Sequence, residues 1–176
     1  MSKLRGRSES RTMSCTHTPS IEITVGNLDH PSVIALLRQH LTGMHKNSPP
    51  GSVFALDLTG LKAPDISFYT AWQDGELLGM GALKELNPST GEIKSMRTDA
   101  KHLRKGVGAA ILDHLLKVAR SRGYRRVSLE TGTGPSFDPA LALYRKRGFV
   151  KGEAFGDYKT ATFNQFFHLE VGYSNV

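Results

Sequence analysis

The sequence predicts a mixed α/β fold in which an antiparallel meander leads into a strand–helix–strand–helix unit. Apolar runs at 66–72 and 76–85 flank an Asp74-Gly75 turn, a pattern typical of a β-hairpin. After a strand at 91–98, apolar residues recur at three- and four-residue spacing from Gly108 to Ala119. That period predicts an amphipathic helix over 109–123, with Gly123 as its left-handed stop.

The other elements follow from local patterns along the chain. The alternation I-E-I-T-V predicts a strand at 21–25, and Asp29 and Pro31 are typical of the start of a helix over 29–44. A second, short helix is predicted at Val53–Leu61. The remaining predicted elements are a strand at 126–131, a helix within 140–149, and strands at 150–154 and 164–171.

Length and composition predict one folded domain over 21–176. The chain has 176 residues, of which 39% are hydrophobic and 22% charged, as in an ordinary globular protein. Residues 1–20 are polar and rich in Ser and Thr, and they lack the apolar core of a secretory signal, so we expect a disordered tail. A transit peptide is the alternative, although Glu9 argues against it, and Met13 is a second possible start.

The composition also excludes several classes of protein. No apolar run approaches the roughly 20 residues of a membrane-spanning helix. Cys15 is the only cysteine, so no internal disulfide can form and we expect a cytoplasmic protein. No Cys/His cluster has the spacing of metal ligands, so no metal is expected.

The net charge of +7 leaves three explanations open. An anionic ligand, a nucleic acid or a solvated basic surface would each account for the excess. No recognition helix or aromatic-interleaved strand accompanies the charge, which makes a nucleic-acid partner the weakest of the three. The basic residues gather in three clusters: 101–105, 120–126 and 145–147.

The stretch Leu103–Gly108, L-R-K-G-V-G, lies where the long helix is predicted to begin. The first N–H groups of a helix have no intrahelical partner, and Gly106 and Gly108 leave them accessible. Arg104 and Lys105 add positive charge, so the stretch predicts a diphosphate site. It matches neither the nucleotide P-loop nor the dinucleotide fingerprint, and tight packing beside solvated basic residues is the alternative.

The order of these parts resembles the GNAT superfamily of acyl-CoA-dependent N-acyltransferases, over roughly Ile21–Glu170. The phosphate loop of that family reads [Q/R]-x-x-G-x-[G/A], and both glycine positions match here. Leu103 departs from the usual Gln or Arg, which puts a side-chain contact at that position in doubt. Tyr144–Phe149, Y-R-K-R-G-F, matches the second family signature, Y-x-x-x-G-F.

The resemblance implies a fold and a function. The fold would have about seven mostly antiparallel strands, a splayed central parallel pair and about four helices. The activity would be direct transfer of an acetyl group from acetyl-CoA to a primary amine of a small molecule or peptide. A non-catalytic acyl-CoA-binding or sensing protein is the main alternative. The implied acetyl-CoA-binding residues are Met96, Arg97, Thr98, Leu103, Arg104, Lys105, Gly106, Val107, Gly108, Ala109 and Thr131.

Two catalytic residues follow from the same resemblance. Tyr144 corresponds to the tyrosine that protonates the departing sulfur. Glu92 lies 14 residues before Gly106, the spacing of the general base in the histone acetyltransferase branch. On a regular strand Glu92, Lys94 and Met96 share one face, and a structural pair between Glu92 and Lys94 is the alternative. Glu130 or a chain of waters could replace Glu92 as the base.

The acceptor is less constrained. Phe137 stands where many members carry an Asn that contacts pantetheine, and the glycine-rich loop 131–136 is expected to close over the cofactor arm, with Thr131 or Thr133 in contact. Asp57 is the only carboxylate in 30–62, which favours a small neutral or anionic amine. A homodimer through an exposed last strand is possible. Residues placed near the acceptor by position are His45, Asn47, Ser48, Phe54 and Asp57.

Overall fold

Seven strands form one sheet in residues 20–172, the part of the chain that the computed structural model describes. The spatial order is β1-β2-β3-β4-β5-β7-β6, and every neighbouring pair is antiparallel except the parallel pair β4–β5. The predicted disordered tail lies outside the described residues. The strands are β1 (Glu22–Val25), β2 (Ile66–Gln73), β3 (Glu76–Asn87), β4 (Thr90–Thr98), β5 (Arg126–Gly132), β6 (Val150–Gly152) and β7 (Asn164–Glu170).

The helices of the described residues cover both faces of this sheet. They are α1 (Pro31–Asn47), α2 (Leu58–Leu61), α3 (Val107–Ser121) and α4 (Asp138–Lys146), with a short 3-10 helix at Ala100–His102. On β3, Met80 and Ala82 pack with α1 and α2, whereas Leu78 and Leu83 pack with α3. The two apolar clusters therefore lie on opposite faces. No helix within 20–172 is long and apolar enough to span a bilayer.

The long helix α3 confirms the predicted apolar stripe. Its buried face consists of Val107, Ile111, Leu112, Leu115, Leu116 and Ala119. Gly123 follows it at φ 76°, the left-handed conformation that favours glycine. The predicted hairpin is also confirmed, since Asp74 and Gly75 between β2 and β3 have φ of 50° and 79°.

A β-bulge in β4 creates the opening in the sheet. Lys94 pairs with Ala82 but Arg97 pairs with Met80, so Ser95 and Met96 together oppose Gly81. Ser95 adopts a left-handed φ of 53°. The parallel pairing of β4 with β5 ends at Glu92–Ser128, so the two strands separate beyond that pair.

Three predicted details of the fold are wrong. The first is the cap of α1, which is His30 and not Asp29. The Nδ1 atom of His30 accepts from the Ser32 N–H at 3.2 Å, while the Asp29 carboxylate pairs with Lys62 at 3.1 Å. Asp29 instead lies in a turn, where its own N–H is bound by the Asn27 side chain.

The second is the short helix predicted at 53–61, which is helical only at Leu58–Leu61. Asp57 caps it by accepting from the Gly60 N–H at 2.8 Å, so the helix cannot begin earlier. The third is the position of the last strand. β7 lies between β5 and β6, and the edges of the sheet are β1 and β6, so β7 offers no edge to a second copy.

The packing of α3 against β3 gives a test of the fold. A Cβ on Gly81 would lie 2.7 Å from Ile111 and 2.8 Å from the sulfur of Met96, closer than packing allows. We expect Gly81→Ala to lower the free energy of unfolding by about 1–3 kcal/mol through overpacking, measured by urea denaturation. Gly43→Ala is the control: its nearest neighbour is 3.8 Å away, so better helix propensity should stabilise α1. Equal stability of Gly81→Ala and the wild type would contradict this packing.

Candidate functional site

Two connected cavities open where β4 and β5 diverge. The first, here called the outer groove, has a volume of about 750 Å³ and runs along the end of β4, the loop at 100–106 and the first turn of α3. The second, the inner cleft, measures about 200 Å³ and lies between α1, β4, β5 and α4. A long ligand therefore fits the groove and a small one the cleft. The residues that line both are Met96, Arg97, Ser136, Ala140 and Tyr144.

The outer groove presents the start of α3 to a ligand. No side chain caps this helix, so its first N–H groups remain available. Gly106 has φ 80°, and a Cβ added to it would meet no atom within 4 Å; Arg104 is also left-handed at φ 61°. The exposed N–H groups, the positive end of the helix dipole and the open glycine suit a diphosphate.

Most of the predicted cofactor-binding residues line this groove. They are Met96, Arg97, Thr98, Leu103, Arg104, Gly106, Val107, Gly108 and Ala109. Lys105 is not among them; its ammonium lies 3.4 Å from Nδ1 of His102. Thr131 is also absent from the groove and lines the inner cleft.

His102 is a groove residue that sequence reasoning missed. It is buried, and its Nε2 atom lies 3.1 Å from the carboxylate of Glu76 on the β2–β3 hairpin. The distance is that of an ion pair, but the geometry is not that of a hydrogen bond, so the Nε2 atom of His102 stays without a hydrogen-bond partner among the described residues. Nothing in the sequence pattern links His102 to Glu76, since the two residues come from separate elements.

Tyr144 lies at the junction of the two cavities. It is 7% exposed and packs edge-on against Phe149, with ring centroids 5.8 Å apart. Burial raises the pKa of its phenol to about 12, so the hydroxyl stays protonated near neutral pH. The hydroxyl makes no hydrogen bond to any residue between 20 and 172, which leaves it available to a ligand in the junction.

Glu92 is held in a closed network at the base of the inner cleft. Its Oε1 atom accepts from the Lys94 ammonium at 3.0 Å and from the Tyr158 hydroxyl at 2.5 Å. Lys94 also donates to the Tyr158 oxygen at 2.6 Å. Glu92 itself is only 2% exposed. The pairing with Lys94, one of the two interpretations of Glu92, is therefore the arrangement observed.

The predicted shared face of Glu92, Lys94 and Met96 is wrong for Met96. The bulge at Ser95 breaks the alternation, so the Met96 sulfur lies 2.8 Å from the Cβ position of Gly81, on the α3 face. Lys94 stays on the face of Glu92, as their ion pair requires.

Glu130 lies across the inner cleft on β5. Burial raises the pKa of its carboxyl to about 7; the charge of Lys94 opposes this shift and the charge of Glu92 adds to it. The side chain makes no hydrogen bond within the described part of the chain. A half-buried carboxylate that titrates near neutral pH can accept a proton from a ligand in the cleft.

The α1 side of the inner cleft agrees only partly with the predicted acceptor residues. Asn47 and Phe54 line the cleft, whereas His45 and Ser48 do not, and Asp57 is a helix cap. His40, Gly43 and Met44 were missed. With Asn47 they follow helical spacing along α1, a pattern that the core-packing interpretation of this helix obscured.

The loop after β5 connects to α1 over the cleft. The Ser136 hydroxyl donates to the side-chain oxygen of Asn47 at 3.2 Å. Phe137, which stands where many family members carry an Asn, is buried against Phe163 at a centroid distance of 5.7 Å and lines the cleft. This position therefore supplies an apolar wall and not a polar contact.

Tyr158 is a further residue near the inner cleft that sequence reasoning missed. It comes from the loop between β6 and β7, and its ring lies 5.1 Å from that of Phe54. Burial raises the pKa of its phenol, and the charge and hydrogen bond of Glu92 add to this shift. Among the described residues, no group of three or more His, Cys, Asp or Glu side chains could hold a metal ion.

Comparison with known proteins accounts for this arrangement. The model of the Acetyltransferase (GNAT) family matches residues 33–149. YsnE of Bacillus subtilis, named as an uncharacterized N-acetyltransferase, is 49% identical over 78% of this chain and 91% of its own length. YedL of Escherichia coli, with the same description, is 43% identical over 87% of this chain and 96% of its own.

Solved structures share the fold at lower identity. A GNAT family acetyltransferase from Elizabethkingia anophelis, with acetyl-CoA bound, superposes with a TM-score of 0.63 at 20% identity, over 85% of this chain and 97% of its own. A GNAT family acetyltransferase from Staphylococcus aureus superposes with a TM-score of 0.66 at 19% identity, over 86% of this chain and 99% of its own. With a family model that spans most of the described sheet and two relatives above 40% identity, the chain belongs to the GNAT family of acetyltransferases.

Proposed function

We propose that this enzyme moves an acetyl group from acetyl-CoA to a primary amine of a small molecule or peptide, by direct transfer in a ternary complex. The observation that carries the proposal is the unbonded, protonated hydroxyl of Tyr144 at the junction of the outer groove and the inner cleft. A thioester in the groove and an amine in the cleft would meet at that point.

The outer groove fits the donor. The N–H groups at the start of α3 and the open backbone at Gly106 and Gly108 would hold the diphosphate. Bound acetyl-CoA would supply the activated acetyl thioester. A backbone N–H of β4, at Met96 or Arg97 beside the bulge, would polarise the carbonyl oxygen.

Glu130 fits the role of general base better than Glu92. The Glu92 carboxylate already accepts from Lys94 and Tyr158, so taking a proton would break that network. Glu130 has no such partners, and its pKa of about 7 lies close to the working pH, where a base is most effective. We assign Glu92 to holding Lys94 and Tyr158 in place, and retain it as the second candidate base.

Tyr144 would act on the leaving sulfur. As the N–C bond forms and the C–S bond breaks, Glu130 takes one proton from the nitrogen. The nitrogen of the neutral amine loses only that proton. The Tyr144 hydroxyl gives its own proton to the departing sulfur, and the proton taken by Glu130 restores the phenol through solvent, so that amide and thiol form with no net change in protons. Because burial keeps this phenol protonated, it can donate over the whole neutral range.

The alternative of a non-catalytic acyl-CoA-binding protein leaves Tyr144 and Glu130 without a role. The nucleic-acid alternative is weakened by the pairing of basic residues. Arg147 donates to Asp113 at 2.6 Å and Arg126 to Glu170 at 2.5 Å, so these side chains do not form an uncompensated basic surface.

The donor site can be tested at Gly108. Gly108→Asp should abolish acetyl-CoA binding in calorimetric titration, because its carboxylate would repel the phosphates. A Cβ here lies 3.4 Å from Leu143 and 3.5 Å from Thr98, an ordinary contact, so the variant should fold. Gly108→Ala is the matched control and should still bind. If Gly108→Asp still bound acetyl-CoA, the phosphate site would not lie at the start of α3.

Tyr144→Phe should lower kcat about ten- to hundredfold, the lower range of acid–base effects, with little change in acetyl-CoA affinity. The hydroxyl bonds to no described residue, and the ring keeps its contact with Phe149, so the melting temperature should not fall. The measurement is thiol release at saturating substrate. Unchanged turnover would reduce Tyr144 to a packing residue.

The base can be identified from the pH profile of kcat/KM. A carboxylate base works only when deprotonated, so activity should fall as pH drops below the Glu130 pKa of about 7. Glu130→Gln should remove this fall of kcat/KM at low pH, the acidic limb of the profile, and should lower the maximal kcat/KM. Glu92→Gln should retain the limb but displace it to lower pH, because the charge of Glu92 no longer raises the pKa of Glu130. A limb near pH 7 that persists in Glu130→Gln and vanishes in Glu92→Gln would reverse the assignment.

A further inference from the structure

Arg97 is a charged residue of the inner cleft that the proposed chemistry uses only through its backbone. It follows the bulge in β4 and pairs with Met80, whose side chain packs with α1. One guanidinium nitrogen, Nη1, lies 3.8 Å from the Cβ position of Gly43 on α1. The side chain therefore reaches the α1 wall of the cleft, across from α3.

The guanidinium of Arg97 has no anionic partner within residues 20–172. Its Nε atom is fully buried and makes no hydrogen bond. The other cation of the cleft, Lys94, is paired with Glu92 at 3.0 Å. Leaving a buried donor without an acceptor is costly, and a ligand anion at this half-buried guanidinium would supply that acceptor.

The surroundings of Arg97 favour a carboxylate. His40, one helical turn before Gly43, lines the same wall. Burial and the charge of Arg97 lower its pKa to about 4, so it offers a neutral hydrogen-bonding group and no second positive charge. One planar guanidinium beside a neutral imidazole suits a singly charged, planar anion, which arginine binds through two parallel hydrogen bonds.

The anion at Arg97 belongs to the acceptor and not to the donor. Arg97 lines both cavities, but its Nη1 atom lies 3.8 Å from the Cβ position of Gly43 on α1, whereas the proposed diphosphate site is at the first turn of α3. The walls around it are apolar on one side, with Met44, Phe54 and Phe137 lining the same cleft. A ligand that fills this space presents an anionic group to Arg97 and an apolar group to these side chains.

Resting on the proposed function, we propose that the acceptor is a small amine that also carries a carboxylate, such as an amino acid with an apolar side chain, and that Arg97 binds the carboxylate. The amine then points toward Glu130 on β5, so the acceptor is bound at both of its charged ends. Arg97 thereby selects between acceptors of equal shape and different charge.

The test uses matched acceptors that differ only at the carboxylate. Leucine, methionine and phenylalanine are compared with their amides, by thiol release for kcat/KM and by calorimetric binding to protein saturated with CoA. The wild type should prefer each acid over its amide about ten- to hundredfold, the range of hydrogen bonds to a charged group. Arg97→Gln should bring that ratio close to one, and Arg97→Lys should give an intermediate ratio.

Arg38→Gln is the control for long-range charge, because Arg38 is exposed on α1 and lies outside both cavities; it should keep the wild-type ratio. A wild-type ratio near one, or an Arg97→Gln loss shared equally by acids and amides, would overturn the proposal. Failure of acetyl-CoA to bind would overturn the proposed function instead. The calorimetric comparison of acids with amides needs no turnover, so it decides the role of Arg97 separately.

Discussion

The separation of β4 from β5 is the constraint on which the rest of the site depends. Parallel pairing stops at Glu92–Ser128, and the bulge at Ser95–Met96 turns the rest of β4 away from β5. Gly81, opposite the bulge, leaves room for Ile111 of α3 and for the Met96 sulfur. A regular strand would keep its hydrogen bonds to β5 and fill the space with paired backbone. The early end of the β4–β5 pairing leaves the space of both cavities, and the bulge beside it interrupts the β3–β4 ladder.

The polar residues of the inner cleft fall into two groups, one whose members bond to one another and one whose members have no partner among the described residues. Glu92, Lys94 and Tyr158 satisfy one another at 2.5–3.0 Å, which fixes the floor of the cleft. Glu130 and Arg97 have no such partners among the described residues. The charges of the hydrogen-bonded residues also act on Glu130: Lys94 lowers the pKa of its carboxyl, and Glu92 raises it. A satisfied network beside unsatisfied groups is the arrangement expected where a ligand completes the site.

Local features could be predicted from the sequence, and contacts between distant segments could not. The stripe on α3, the stop at Gly123, the Asp74-Gly75 turn and the glycines at 106 and 108 each depend on a few neighbouring residues. Tyr158 lies 66 positions from Glu92, and the loop that carries it has no periodicity to read. The bulge at Ser95 was missed because a left-handed serine leaves no mark in an otherwise alternating strand. His30 displaced Asp29 as a cap through one competing hydrogen bond.

The opposite charges of Arg97 and Glu130 bear on how an amine acceptor would lose its proton and become a nucleophile. A primary amine reaches the enzyme mostly protonated at neutral pH, and only the neutral form attacks. In the proposed mechanism, the positive charge of Arg97 would disfavour the ammonium form of a nearby amine, and Glu130, whose pKa is raised to about 7, would accept the proton. If a carboxylate on the acceptor occupies Arg97, the acceptor is bound tightly while its nitrogen still faces the base. Binding would then fall to Arg97 on one wall of the cleft. Because the paired Arg97 charge no longer favours the neutral amine, deprotonation would depend on Glu130 on the other wall.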